Sequence, residues 1–336
     1  MARIYRSKIT NEYKTKNMMN FYDNVGDTSD LNSVYVMFGR KEAWAANEED
    51  INFAPPYPDD STDGQADAWS RALGFVKVPK AQLKAVIPRR DWGDTDLGDS
   101  SLQFEIGDIV VTNTISLNQH PSALSGYMVY RCVDVPDTGS CSLNDADTTF
   151  VKTDCIALGG KWSATSSTGT TANIPNGTGD AIDTDDGYTW EYLYTIPPDE
   201  VINNVTSDYI VCPFPDDVIN NRKEWGLSDE ISYDRNLDRT IYSVGASKLR
   251  FKAKLAGSDF VQLSAPGNTG YRQITVLINP LLYRSDTTTA AVKATATTYL
   301  PSSIEQTSGE VIYMENRQPI KRAPDQVEEF SLIFQF

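Results

Sequence analysis

The chain has 336 residues, enough for two or three domains with hydrophobic cores of ordinary size. Hydrophobic residues make up 40% of it and charged residues 23%, which is typical of a globular protein and not of a disordered one. The net charge of −16 argues against nucleic acid or an anionic membrane as the main partner, because both repel an acidic protein. There is no apolar run of about 18 residues that would span a bilayer, and no apolar stretch follows the basic start. We therefore expect a protein made and used in the cytoplasm, or built into something assembled there.

The first ninety residues predict short helices and one strand. Residues 10–25 predict a helix that begins at a capping threonine and carries apolar side chains near one face. The β-branched and aromatic residues of 33–39 predict a strand. Residues 66–73 and 80–86 are rich in Ala, Leu and Lys and predict two more short helices. The proline-rich string FAPPYPDDS between the strand and these helices predicts extended, irregular chain.

The rest of the chain predicts mainly strands. Residues 163–187 are small and polar, which predicts a surface loop, and residues 216–225 predict a short helix that opens with two acidic residues. The strand-like runs of the middle and C-terminal parts are FEIGDIVVTNT, GYMVYRCVDV, YTWEYLYTI, KLRFKAKL, YRQITVLIN, EVIYMEN and EEFSLIFQF. The predicted fold class is therefore mixed α+β, mainly β, and multidomain, with β-sandwich-like domains and few short helices.

The predicted domain organisation has three regions. Residues 1–88 form an N-terminal α/β region that ends at Pro88. Two features mark this boundary: proline restricts the backbone conformation of the residue before it, and acidic residues reappear directly after a basic stretch. Residues 89–244 form a β-rich middle domain that contains the polar loop. Residues 245–336 form a β-rich C-terminal domain, which we expect to pack with the N-terminal region.

Catalytic and metal chemistry receive little support from the sequence. The single histidine, His120, lies between polar residues and a proline, so neither a catalytic triad nor a histidine-based zinc site is predicted. None of the 46 acidic residues forms a carboxylate pair that stands out from the others. We predict no catalytic residue, no cofactor and no metal ion. The cysteines are Cys132, Cys141, Cys155 and Cys212. Reduced thiols are the default expectation without a secretion signal, and the alternative is one disulfide within the stretch from Cys132 to Cys155.

Two basic features are candidate interfaces on this acidic chain. The string IPRRDWGD combines arginine and tryptophan, residue types that dominate interface hot spots. A structural turn with an internal Arg–Asp pair is an equal alternative for it. The strand KLRFKAKL places its basic residues on one face, as an electrostatic docking face for an acidic partner or as a solvated face over a core face. The candidate interface residues are Arg89, Arg90, Asp91, Trp92, Lys248, Arg250, Lys252 and Lys254.

Several longer strings occur in a fixed order along the chain: FAPPYPDDS, AVIPRRDWGDT, VYRCVDVPDTG, LGGKW, DGYTWEYLYTIPPD, PGNTGYRQI and SGEVIYMENRQPI. Together they resemble the baseplate wedge subunits encoded by gene eight of T-even-type contractile-tailed bacteriophages. The resemblance extends from the N-terminal helix to the last strand.

This resemblance implies a structural protein without catalysis. It also implies a homodimer that joins other wedge subunits, notably those encoded by genes six, seven and ten, in the tail baseplate of the virion. Such wedges assemble in the host cytoplasm, and the baseplate rearranges when the tail contracts. The alternative hypothesis is a β-rich carbohydrate-binding or glycan-cleaving tail module, which the aromatic and acidic content supports.

Overall fold

A computed structural model describes twelve stretches of the chain, within which it is mainly β, with antiparallel strands and few short helices, as the sequence predicts. These stretches are residues 9–25, 33–92, 103–113, 126–144, 148–164, 173–196, 205–206, 208–214, 241–256, 270–280, 297–320 and 327–336.

In chain order the helices and strands are α1 (Asn11–Asp23), β1 (Val34–Gly39), α2 (Thr62–Ser70), β2 (Ala72–Val78), β3 (Leu83–Pro88), β4 (Ile109–Asn113), β5 (Tyr127–Asp134), β6 (Gly139–Cys141), α3 (Lys152–Ala157), β7 (Trp162–Ala164), β8 (Ile182–Asp183), β9 (Thr189–Ile196), β10 (Tyr209–Cys212), β11 (Lys248–Ala256), β12 (Tyr271–Ile278), β13 (Thr298–Tyr299), β14 (Glu310–Ile320) and β15 (Val327–Gln335). Two single 3₁₀ turns are Lys80–Gln82 and Pro301–Ser303.

The chain divides into two compact units. Unit 1 consists of Met1–Thr15 and Ala85–Ser247, and unit 2 consists of Lys16–Lys84 and Lys248–Phe336. The partition into the regions 1–88, 89–244 and 245–336 stays a prediction.

Unit 2 is built on an antiparallel sheet with the strand order β13-β2-β1-β12-β14. Its central strand β1 is buried along its whole length. The antiparallel pair β11 and β15 lies against this sheet through aromatic side chains. The ring centroids of Phe38 and Phe330 are 5.0 Å apart, and those of Tyr313 and Phe334 are 5.3 Å apart. The core of unit 2 therefore lies between two layers of strands, and aromatic burial supplies much of its stability.

Unit 1 contains the sheet β4-β5-β9-β8, the short pair β6-β7, and the antiparallel pairing of β10 with residues 85–88 of β3. Its core surrounds Trp190, which is completely buried. Phe104 meets this indole edge-on, with ring centroids 5.1 Å apart. Cys132 and Tyr130 of β5 are buried in the same cluster.

The predicted N-terminal helix and the predicted strands are confirmed. Helix α1 covers most of the expected range, and Thr10 caps it by accepting a hydrogen bond from the Tyr13 amide at 3.3 Å. Met18 is fully buried, whereas Tyr13 is exposed. Exposed and less exposed side chains alternate along strand β15, and its phenylalanine side chains are less exposed than their neighbours.

The helix predicted over residues 80–86 is wrong. Only Lys80–Gln82 form a 3₁₀ turn, and the chain then enters strand β3. Ala85 lies opposite Cys212 and Ile87 opposite Ile210 in the pairing with β10. A short helix contributes little stability by itself, so ladder hydrogen bonds and burial override the helical preference of these residues. The helix predicted over 66–73 begins earlier, as α2, and ends before β2 starts at Ala72.

The default of four reduced thiols is also wrong. Cys141 and Cys155 form a disulfide, with their Cα atoms 5.8 Å apart, whereas Cys132 and Cys212 are buried and unbonded. Strand β6 and helix α3 bring the two bonded residues together from opposite ends of a short polar insert, which is the alternative that the sequence allowed.

The polar stretch predicted as a surface loop is attached to unit 1 where the structure describes it. The Tyr130 hydroxyl donates to the Gly177 carbonyl at 3.0 Å, and the Tyr192 amide donates to the Gly179 carbonyl at 2.9 Å. Its last residues form β8, which pairs with β9. The helix predicted over 216–225 and the loop around His120 lie outside the described residues.

Candidate interaction surfaces

Residues 89–92, the RRDW segment, directly follow β3, and their first arginine is paired within the chain. Arg89 Nε donates to Asp91 Oδ1 at 2.7 Å, and its Nη2 forms an ion pair with the same carboxylate. Hydrogen bonding to Asp91 raises the pKa of Arg89. Arg89 Nη1 also donates to the Thr206 carbonyl at 2.9 Å, and its guanidinium lies 5.2 Å from the centre of the Tyr127 ring. The internal Arg–Asp pair of the structural alternative is therefore present.

Arg90 and Trp92 attach the RRDW segment to the core of unit 1. Arg90 Nη1 donates to Asp108 Oδ2 at 3.1 Å, and its guanidinium lies 4.3 Å from the centre of the Phe104 ring. Trp92 stacks on Phe104, with 5.6 Å between centroids, and meets Trp190 edge-on at 5.5 Å. Trp92 is half-buried and anchors its own unit. A contact of this segment with a partner stays a prediction.

The basic side chains of β11 form what we call the basic row: Lys248, Arg250, Lys252 and Lys254. Directly opposite residues of antiparallel strands share a face, so Glu329, Ser331 and Ile333 of β15 lie on the same face as the row. The other face of β11 is core, because Leu249 and Phe251 are buried. The alternation predicted from the sequence is therefore present.

Exposure differs strongly along the basic row. The Lys254 side chain is 67% exposed, whereas Arg250 is only 7% exposed. Burial lowers the pKa of Arg250, and the negative charge of Glu329 opposes this effect. Lys252 Nζ lies 2.7 Å from Glu329 Oε1, and this hydrogen bond lowers the pKa of Glu329. The row is thus solvated at one end and buried in its middle, and its role as an interface stays a prediction.

The sequence interpretation missed an apolar surface beside the disulfide, which we call the disulfide surface. Helix α3 buries Cys155 completely and leaves neighbouring apolar side chains exposed. The helix has six residues, too few for a hydrophobic period to be read from the sequence. The exposed residues of this surface are Leu143, Val151, Ile156 and Leu158.

A second missed feature is the exposed tyrosine of the proline-rich string. Tyr57 is 97% exposed, although the chain around it is fixed to strand β14. Gln318 Nε2 donates to the Phe53 carbonyl at 3.0 Å, and Asn316 Nδ2 donates to the Pro56 carbonyl at 3.0 Å. A tyrosine on a fixed, extended segment loses little entropy on binding, which suits a contact with another protein.

Metal-binding clusters and membrane-spanning helices are two further features to consider in the described residues. They contain no group of three or more His, Cys, Asp or Glu residues arranged to hold a metal ion. No helix within the described stretches combines the length and the apolar character needed to cross a membrane.

The fold and these surfaces define a class: a mainly β protein of antiparallel strands that carries a basic row and exposed apolar side chains. The chain belongs to the bacteriophage T4 Gp8 family, whose sequence profile matches residues 7–336. It is 44% identical over 336 residues to the baseplate wedge protein gp8 of Enterobacteria phage T4. That similarity covers 99% of this chain and 98% of the phage T4 protein.

Proposed function

We propose that the protein is a non-enzymatic structural subunit of the tail baseplate wedge of a contractile-tailed phage. It holds neighbouring wedge proteins together during assembly and tail contraction. The observation that carries the proposal is the 44% identity to the phage T4 baseplate wedge protein, because it extends over almost the full length of both chains. A likeness of fold alone would not support a function, and the proposal therefore rests on residue identity over almost the whole of both chains.

In this proposal the protein acts as a homodimer within the wedge. Its further partners are the wedge subunits that genes six, seven and ten encode in T-even-type phages. Its place is the tail baseplate of the virion, after assembly in the host cytoplasm. The support is chemical: the basic row, the disulfide surface and the exposed Tyr57 offer charged, apolar and aromatic contacts, the three kinds that protein interfaces combine.

The test is the recovery of the protein from baseplates. A phage that carries an affinity-tagged copy of the chain in place of the untagged gene is grown, and its baseplates are purified. We expect the tagged chain in the baseplate together with other wedge subunits. Its absence from purified baseplates, or turnover of a cell-surface polysaccharide by the isolated protein, would contradict the proposal.

The homodimer is tested separately by sedimentation of the isolated chain at micromolar concentration. We expect twice the chain mass of 37.3 kDa. The double variant Val151→Asp with Leu158→Asp places charges on the disulfide surface and shows whether that surface forms the dimer contact. Lys161→Gln, on a lysine that is 73% exposed, is the control. A monomer mass for the unmodified chain would contradict the homodimer.

A further inference from the structure

We propose that Ile51 and Tyr57 are the apolar anchors of a contact with a different protein, and that they insert into a groove lined by aromatic side chains and bordered by Lys or Arg. The inference rests on the proposed function, since a wedge subunit must contact its neighbours. It deepens that function by naming two anchors and the chemistry of their partner. We call residues 50–60, which carry both anchors, the proline segment.

The two anchors are almost fully exposed. Ile51 is 92% exposed and Tyr57 is 97% exposed. The next most exposed large apolar side chain among the described residues, that of Val327, is 67% exposed. Single exposed apolar residues are common on protein surfaces, so exposure alone does not mark a contact. Ile51 and Tyr57 differ from such residues because their backbone is held in place.

The proline segment is fixed to strand β14 by two amide side chains. Gln318 Nε2 donates to the Asp50 carbonyl at 3.1 Å and to the Phe53 carbonyl at 3.0 Å. Asn316 Nδ2 donates to the Pro56 carbonyl at 3.0 Å. The two amide residues are two positions apart on β14, so their side chains leave the same face of the strand. The backbone on both sides of the exposed isoleucine, and directly before the exposed tyrosine, is therefore fixed.

The chain is also restricted after Tyr57. Pro58 confines Tyr57 to extended backbone conformations, and Asp59 Oδ1 accepts a hydrogen bond from the Ser61 amide at 3.0 Å. Ser61 in turn caps helix α2. An anchor whose backbone is already ordered loses little conformational entropy on binding. Proline-rich, extended segments typically dock into grooves lined by aromatic side chains, which is the shape that we assign to the partner.

The charge around the anchors indicates what borders the partner groove. Residues 42–70 contain eight acidic residues and no Lys or Arg. Asp60 and Asp63 are exposed, and neither forms an ion pair within the described part of the chain. Acidic surroundings favour a partner with basic residues at the rim of its groove. A symmetric contact between two copies at this segment would place acidic residues opposite each other, so the partner is a different protein.

The first test is a competition for places in the baseplate. Tagged full-length Tyr57→Ala and the untagged, unmodified chain are produced in equal amounts in cells infected by a phage that lacks this gene. We expect the variant to be about 10- to 100-fold under-represented in purified baseplates relative to the tagged, unmodified chain, as loss of an interface anchor predicts. Its melting temperature should be unchanged, because the side chain is almost fully exposed. Equal incorporation, or a lower melting temperature, would overturn the inference.

Matched variants separate the anchor from other effects. Tyr57→Phe keeps the ring and should be incorporated within about twofold of the unmodified chain. Tyr13→Ala removes another exposed tyrosine, which is 58% exposed, and should not reduce incorporation. Asp60→Asn with Asp63→Asn should reduce incorporation by about 2- to 5-fold, because exposed charges contribute less than a buried ring. Loss with Tyr13→Ala equal to that with Tyr57→Ala would overturn the inference, and so would full incorporation of the double variant.

The second test identifies the partner. The photo-crosslinking residue p-benzoylphenylalanine is placed at position 57 of the full-length chain, and purified baseplates are irradiated. We expect a crosslink to a different wedge protein, at a peptide that contains aromatic residues and Lys or Arg. A crosslink to a second copy of this chain, or no crosslink to another chain, would overturn the inference alone. Absence of the unmodified chain from baseplates would instead contradict the proposed function.

Discussion

Glu48 and Arg272 form a buried ion pair that fixes the segment after β1 to the central part of unit 2. Arg272 is 1% exposed and Glu48 is 6% exposed. Arg272 Nε donates to Glu48 Oε2 at 2.7 Å, and Nη2 pairs with Glu48 Oε1. The Trp44 amide also donates to Glu48 at 2.9 Å, and Arg272 Nη1 donates to the Lys41 carbonyl at 2.6 Å. Each charge thus has its counter-ion and a backbone partner.

Glu48→Gln keeps the shape of the side chain but leaves Arg272 as a buried charge without a counter-ion. Removing one member of a buried pair costs about 3–5 kcal/mol, and we expect a loss of this size in the free energy of unfolding of unit 2. Arg272→Met should cost a similar amount. The double variant Glu48→Met with Arg272→Met leaves no lone charge, so the remaining loss is that of two hydrogen bonds, the one from the Trp44 amide and the one to the Lys41 carbonyl, at about 1 kcal/mol each.

The assay is urea unfolding of the purified chain, with the matched control Glu42→Gln. Glu42 pairs with Arg71 at 3.0 Å but is 62% exposed, so its replacement should cost less than about 1 kcal/mol. A Glu48→Gln protein as stable as the Glu42→Gln protein would refute the reasoning. So would a double variant whose loss equals the sum of the two single losses, because the coupling between the charges would then be zero.

Three further predictions concern the pH dependence of this ion pair, the disulfide and the middle of the chain. Hydrogen bonding to Arg272 lowers the pKa of Glu48 below 4.5. The ionised Glu48 therefore stabilises the folded chain above pH 4.5, and this stabilisation is lost as the pH falls through the pKa of Glu48 in the folded state. The free energy of unfolding of Glu48→Gln should accordingly vary less between about pH 6 and pH 3 than that of the unmodified chain. Cys155→Ser should lower the free energy of unfolding of unit 1 by about 3 kcal/mol, because it removes the disulfide. Urea unfolding should show the same loss when a reducing agent is added to the unmodified chain. Residues 85–247, which keep the pairing of β10 with residues 85–88, should fold when expressed alone, and a fragment without dispersed amide resonances would contradict this expectation.

Local sequence patterns were sufficient to predict most of the strands and the N-terminal helix. The period-two alternation of β15 and the run of β-branched and aromatic residues in β1 are visible in the sequence, because side chains of a strand alternate between faces whatever surrounds it. Thr10 likewise marks the start of α1 through a hydrogen bond to a residue three positions away. The family resemblance also depended only on residue strings, and the comparison with phage T4 confirms it.

Strand β3 and the disulfide were decided by partners that are distant in the sequence. Residues 80–86 favour a helix by composition, but from Leu83 the chain is a strand, because β10, more than a hundred residues later, supplies the hydrogen-bonding edge for residues 85–88. Cys141 and Cys155 became a pair only when β6 and α3 placed their Cα atoms 5.8 Å apart. Spacing along the chain allows such a bond but does not select it.

The candidate surfaces show most clearly which features the sequence predicts and which depend on tertiary packing. Residue types identified Arg89 and Trp92 as interface anchors, but Asp91, Phe104 and Trp190 engage them inside their own unit. Alternation placed Arg250 on the basic face of β11 without showing that it is buried or that its Nε lacks an acceptor. A sequence fixes which side chains share a face of a strand, because that follows from backbone geometry. What covers that face is decided only by the packing of other elements against it, since burial depends on contacts between residues far apart in the chain.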